Sequence, residues 1–218
     1  MERKFKKNNQ NKLYILVLFT GIIVMFYPII AKMINKMYQT DAITKYTQQI
    51  EDMPKDDKDR QKKQYEKYNE ELLDDKTSSI DLLKSGQILG YISIEKIGVF
   101  LPIYEGTAAK TLQKGIGHLE KTTMPTTKYA YHAVFVGHTG ITSKILFDNL
   151  DRLVIGDIFT VTILDESFKY RVYDKKVVKP SETKALKVQS NKKLVTLVTC
   201  TPKFVNSHRL LVMGELEK

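Results

Sequence analysis

"KLVTLVTCTPKFVNSHRLLVMGEL", residues 193–216, is the stretch on which the fold turns. Two apolar, β-branched runs, LVTLVTC and RLLVMGEL, flank a short polar connection that contains Pro202, Asn206 and Ser207. Val and Thr fit a pleated, half-buried surface, and a connection this short fits a hairpin. Cys200 closes the first run and Arg209 opens the second, so the hairpin sets them on neighbouring strands near one end. Cys200 is also the single cysteine among 218 residues.

Working outward, the same rhythm of short alternating runs begins at Ile88. ILGYISI, VFLPIY, AVFVGH, DIFTVTI and KYRVYDKKVV join the two terminal runs as predicted strands. Short helices are predicted near AAKTLQKG (108–115) and KILFDNLD (144–151). Seven or eight strands without regular βα alternation predict a mainly β fold, an antiparallel or mixed barrel or sandwich, over residues 88–218.

The N-terminal part has another character. Leu13–Ala31 is nineteen residues without a charge, about 28 Å long as a helix, which matches the bilayer hydrocarbon. A cleaved signal peptide would have a shorter apolar stretch and a small-x-small cleavage site, which IIAKMINKM lacks. Arg3, Lys4, Lys6, Lys7 and Lys12 precede the run, and only Lys32 and Lys36 follow it soon after. The positive-inside rule then predicts a single-pass anchor over 13–31, a basic cytoplasmic tail over 1–12, and the rest of the chain outside the cell. Residues 32–87 read as a charged helical segment. Ile43, Tyr46, Ile50 and Met53 form one stripe and Tyr65, Tyr68 and Leu72 another, with Pro54 between. Such narrow faces suit either a solvated stalk or a docked regulatory element.

Charge separates function classes less than its total suggests. The formal +10 divides into six basic residues against one acidic before residue 36, ten against twelve over 36–87, and nineteen against twelve beyond. No arginine-rich run or nucleic-acid motif accompanies the excess, so nucleic acid is not an expected partner. No acidic cluster compels a metal, and no cofactor is expected.

In an outward-facing chain, one cysteine is a small buried hydrophobe, a partner for intermolecular pairing or a free reactive thiol. A thiol of ordinary pKa is only about 3% thiolate at pH 7, and the thiolate is the nucleophile. A nearby His⁺ or Arg⁺ raises that fraction. Histidine can pass a proton to a departing amine, and arginine offers fixed donors to an oxyanion. All four histidines lie beyond residue 88. His138 stands where the run AVFVGH opens into a loop. His132 and His208 read as surface or packing residues, and His118 in GIGHLE is open between packing and function.

At these residues the chain resembles a known family. LVTLVTCTPKFVNSHRLLVMGE is similar to the active-site stretch of the sortases, with their TLxTC pattern at Thr196–Cys200 and the arginine at Arg209. FVGHTG resembles the segment that carries their histidine, here His138, and LQKGIGHLEKTTMP resembles the region upstream of it. TCTP…NSHRLLV and the helical segment after the apolar run look most like the class C, pilus-assembling subgroup. The resemblance implies an eight-stranded barrel and a membrane-anchored cysteine transpeptidase of a Gram-positive bacterium. In that role Cys200 attacks the Thr–Gly bond of an LPxTG-like sorting signal and forms a thioacyl enzyme. His138 moves the proton, and Arg209 holds the oxyanion. The acceptor is an amine, a pilin lysine in the pilus subgroup or a peptidoglycan precursor in the housekeeping class. A peptidase that hydrolyses, and a tethered scaffold with a merely buried Cys200, are the competing expectations. Three features depart from the subgroup: LLDDKTSSIDLLKSG (72–86) has no Asp-Pro-aromatic lid motif, no second apolar run follows GELEK, and Lys203–Phe204 replaces the pair expected after CTP.

Overall fold

The structure, a computed structural model, describes residues 2–74, 82, 84–128, 130–141, 144, 146–187 and 191–217, except the side chains of 2–11. Residues 75–81 and 83, within the segment 72–86 that lacks the lid motif, lie outside the described residues.

Eight strands form a closed barrel in the order β1-β2-β3-β4-β7-β8-β6-β5. They are β1 (Ile88–Ile94), β2 (Val99–Glu105), β3 (Ile116–His118), β4 (Tyr131–Val136), β5 (Ile158–Ile163), β6 (Glu166–Val178), β7 (Lys193–Thr201) and β8 (His208–Leu216). β1 closes the ring on β5, and the pairs β2/β3 and β4/β7 are parallel while the rest are antiparallel. The expected mainly β, eight-stranded barrel is the observed one.

Strand pleating sorts the side chains. On β7, Val195 and Leu197 point into the main core, as do Ala133 and Phe135 of β4 and Leu210 and Val212 of β8. Their alternate neighbours Val134, Val198, Leu211 and Met213 pack together on the outer face. Ala185 and Leu186, in the 3₁₀ turn Lys184–Leu186, lie against that outer cluster. β7 is therefore covered on both faces, which is why its sequence is apolar almost without alternation.

The N-terminal elements differ in detail from their expected boundaries. The apolar run and the stripe Ile43–Ile50 belong to one helix, α1 (Glu2–Glu51), unbroken through Pro28. Pro54 then separates it from α2 (Lys55–Leu73). From residue 13 to residue 30 the apolar side chains of α1 are exposed, and this helix is long and apolar enough to cross a membrane. Its C-terminal part and α2 dock on the barrel, with Tyr46, Ile50, Tyr65 and Tyr68 joining the main core. The Tyr46 hydroxyl donates to the Leu89 carbonyl (2.7 Å) and accepts from the Leu164 amide (2.8 Å). Asn69 pairs with both backbone groups of Met124, at 2.7 and 2.8 Å.

Two short predictions need correction. The helix near 108–115 is a single turn, α3 (Ala109–Leu112). Over 144–151 the described residues form bends and the start of a 3₁₀ turn, Leu150–Arg152. Asp148 explains this local choice: its carboxylate accepts from the amides of Gly140 (2.9 Å) and Leu146 (3.2 Å), competing with a helical ladder.

Candidate active site

Cys200 and Arg209 are directly opposed in the β7/β8 ladder, and Val178 of β6 faces Arg209 from the other side. Opposed residues carry side chains on one face about 5 Å apart at Cβ. On the other flank, β4 and β7 run parallel with Val136 opposite Val198. His138 and Cys200 each lie two residues beyond that pair, so the register brings them level. The ladder continues past Val136: the Gly137 amide donates to the Val198 carbonyl (3.0 Å), and the Thr199 hydroxyl donates to the Gly137 carbonyl (2.7 Å). His138, Cys200 and Arg209 thus form one row across β4, β7 and β8, continuing the outer face on which Val134, Val198 and Leu211 lie. All three are half-buried, and Cys200 is a free thiol.

The surroundings fix this row. Gly137 must be glycine because a Cβ there would come 2.6 Å from the Phe147 ring and 3.0 Å from Ile116. The Phe147 amide donates back to the His138 carbonyl (3.0 Å), and Asp148 holds Gly140, whose φ of 79° is a left-handed conformation. Beyond Cys200 the Thr201–Pro202 peptide is cis, and the hairpin tip carries Phe204 and Val205, both largely exposed. Arg209 donates from Nη1 to the carbonyls of Asn206 and His208, each at 3.0 Å, so the guanidinium braces this hairpin at its root.

A cavity of about 270 Å³ opens at the thiol, lined by Cys200, Thr139, Phe147, Asp148, Asp151 and the 201–203 segment. On the same outer face, Val134, Val198 and Leu211 are buried under Ala185 and Leu186. A larger recess, about 540 Å³, lies between α1, α2 and the barrel, but no cysteine or histidine lines it. The chemistry belongs with the smaller opening.

The remaining histidines separate on their partners. His118 is buried, bonded to Glu105 (3.1 Å) and Thr122 (3.1 Å) on the far side of β3 from the row. His208 is half-buried beside the Ser207 hydroxyl (2.9 Å). His132 is fully buried on the outer face of β4. Its Nδ1 donates to the Lys187 carbonyl (2.9 Å), and its Nε2 accepts from the Thr196 hydroxyl (2.7 Å). Burial pushes its pKa below the ordinary histidine value, with the Lys187 carbonyl opposing in part. His132 thus pins the segment that carries Ala185 and Leu186 to the outer face of β4 and β7. Sequence reasoning missed that role, since a lone histidine in a strand gives no sign of a partner 55 residues away.

A closed eight-stranded barrel with a lone thiol, an imidazole and a guanidinium in one row at its rim defines a cysteine acyltransferase type of architecture. Comparison with known proteins agrees. The Sortase domain family matches residues 92–217. Sortase D of Bacillus subtilis is 31% identical over 119 residues, 55% of this chain and 57% of that protein. The match therefore spans little more than half of that relative's length. Among solved structures, Clostridium perfringens sortase C, determined with the C-terminal cell wall sorting motif, is 38% identical with a TM-score of 0.78, covering 82% of this chain and 99% of that one. Sortase C1 of Streptococcus agalactiae is 37% identical with a TM-score of 0.76, covering 82% and 98%. The chain belongs to the sortase family of cysteine transpeptidases. Within it, the chain is most like the class C members.

Proposed function

We propose that this chain is a membrane-anchored transpeptidase that joins proteins through an LPxTG-like sorting signal, with a pilin lysine as the acceptor amine. Residues 13–31 are the anchor, 1–12 the cytoplasmic tail, 32–87 the helical segment and 88–218 the catalytic barrel outside the cell. The observation that carries the reading is the alignment of Cys200 and Arg209 on paired strands with His138 just past the end of β4.

In the first half-reaction the Cys200 thiolate attacks the Thr carbonyl carbon of the signal. Negative charge gathers on the carbonyl oxygen, where the Arg209 guanidinium stabilises it once substrate draws it from the hairpin carbonyls. The Thr–Gly C–N bond then breaks, and protonated His138 gives its proton to the departing glycine amine. In the second half-reaction the lysine amine loses a proton to His138 and attacks the thioester, and the C–S bond breaks to return the thiolate. A partly exposed thiol that lines an open cavity favours this reading over a scaffold with a buried cysteine.

The test is a set of three variants assayed for joining a sorting-signal peptide to an amine. Cys200→Ala is expected to abolish both the thioacyl enzyme and the product. His138→Ala and Arg209→Ala are each expected to slow turnover at least about a hundredfold, the scale of one acid–base or oxyanion group. Product formation by Cys200→Ala would refute the mechanism, and near-normal turnover in either other variant would remove that residue from its role.

A further inference from the structure

The α1 helix fixes more than the attachment of the barrel. It is continuous from the apolar run into the part that docks, so the distance between membrane and barrel is set by helical rise. Gln39 stands eight residues after Ala31, about 12 Å along the axis. Headgroups and interface extend only about 5–8 Å beyond the hydrocarbon on each side. At this level α1 already meets the barrel. Gln39 is buried, its amide reaches the Lys114 carbonyl at 3.5 Å, and Asn35, Tyr38 and Gln39 share a recess with Gln113, Lys114 and Lys144. With 13–31 as the anchor, the barrel rim around α3 therefore lies within about 4–7 Å of the headgroup layer rather than at the end of a stalk.

The chemistry of that rim is cationic. Lys32 and Lys36 on α1, Lys110 in α3 and Lys114 just after it are all exposed, and among the described residues no carboxylate lines the shared recess. Lys144 donates from Nζ to the Gln113 carbonyl, which ties the loop beginning at His138 to the same rim. That loop is braced internally by Asp148 and by the Phe147–His138 backbone bond. Exposed lysines within about 10 Å of a surface remain in reach of its charge at moderate salt.

We propose that the α3 rim of the barrel, through Lys110 and Lys114, rests on anionic phospholipid headgroups, so that the loop carrying His138 is held at the membrane surface. This rests on the reading of 13–31 as a membrane anchor.

The experiment uses the full chain with Cys200→Ala as background, reconstituted into vesicles of phosphatidylcholine with phosphatidylglycerol. A fluorophore is placed through Gln113→Cys on the rim or Glu51→Cys, which is about 30 Å beyond Ala31 along α1. Headgroup nitroxide lipids are expected to quench the rim label several-fold more than the Glu51 label. That excess is expected to fall when phosphatidylglycerol is omitted and when K110E/K114E is introduced. Equal quenching at both positions in vesicle-bound protein, or an excess indifferent to both changes, would overturn the orientation. Protein that fails to float with vesicles after an alkaline wash would instead overturn the anchor, and the orientation with it.

Discussion

A methyl group at position 137 would meet the Phe147 ring at 2.6 Å and Ile116 at 3.0 Å, one residue before His138. Gly137→Ala is therefore expected to destabilise the fold by about 1–3 kcal/mol, as overpacking does, and to displace the imidazole from the row. Chemical denaturation together with single-turnover acylation checks this, and unchanged values for both would show that the strand end yields freely. His132 supports a pH prediction. Its folded pKa lies below the ordinary value, so as pH falls the unfolded chain takes up the proton first. The stability this site contributes is complete above the unfolded histidine pKa, near 6.5, and is lost as pH falls from there toward the lower folded pKa. Melting temperature measured from pH 7.5 down to pH 5 is expected to fall less steeply in His132→Gln than in the parent chain. The other three histidines are common to both proteins, so identical slopes would mean that His132 is not held neutral.

At the scale of elements, the docking of α1 and α2 depends on a few polar contacts set in apolar surroundings. Tyr46→Phe removes the partner of both the Leu89 carbonyl and the Leu164 amide, and Asn69→Ala strands both backbone groups of Met124. Each is expected to cost about 1–3 kcal/mol, the penalty of buried unsatisfied groups, read as a lower urea midpoint. An unchanged midpoint in both would mean that the helices do not hold to the barrel. The stripes Ile43–Ile50 and Tyr65–Leu72 were legible as helical faces because period alone reveals them, although Met53, read with the first, falls just past the end of α1. Their destination was not, because a narrow apolar stripe reads the same on a stalk as on a docked helix. β3 escaped notice for a related reason: three residues, Ile116–His118, are too few for alternation to register. The helix expected over 144–151 failed because Asp148 spends its carboxylate on Gly140 and Leu146, a tertiary choice that local pattern does not encode.

In the whole molecule, the candidate site lies at the barrel rim where parallel β4 and antiparallel β8 flank β7. The hairpin 193–216 let Cys200 and Arg209 be paired from sequence, since a short connection determines who opposes whom. His138 could be joined to them only through the resemblance, because the parallel β4/β7 pairing spans some sixty residues of intervening chain. The most direct measurement is mass spectrometry of the full chain after rapid mixing with an LPxTG-type peptide, followed by addition of a pilin-lysine amine. The expected result is an acyl adduct mapped to Cys200 that discharges faster as amine is added and yields the amide product. An adduct on any other residue, or a discharge rate indifferent to amine, would contradict transfer through this thiol.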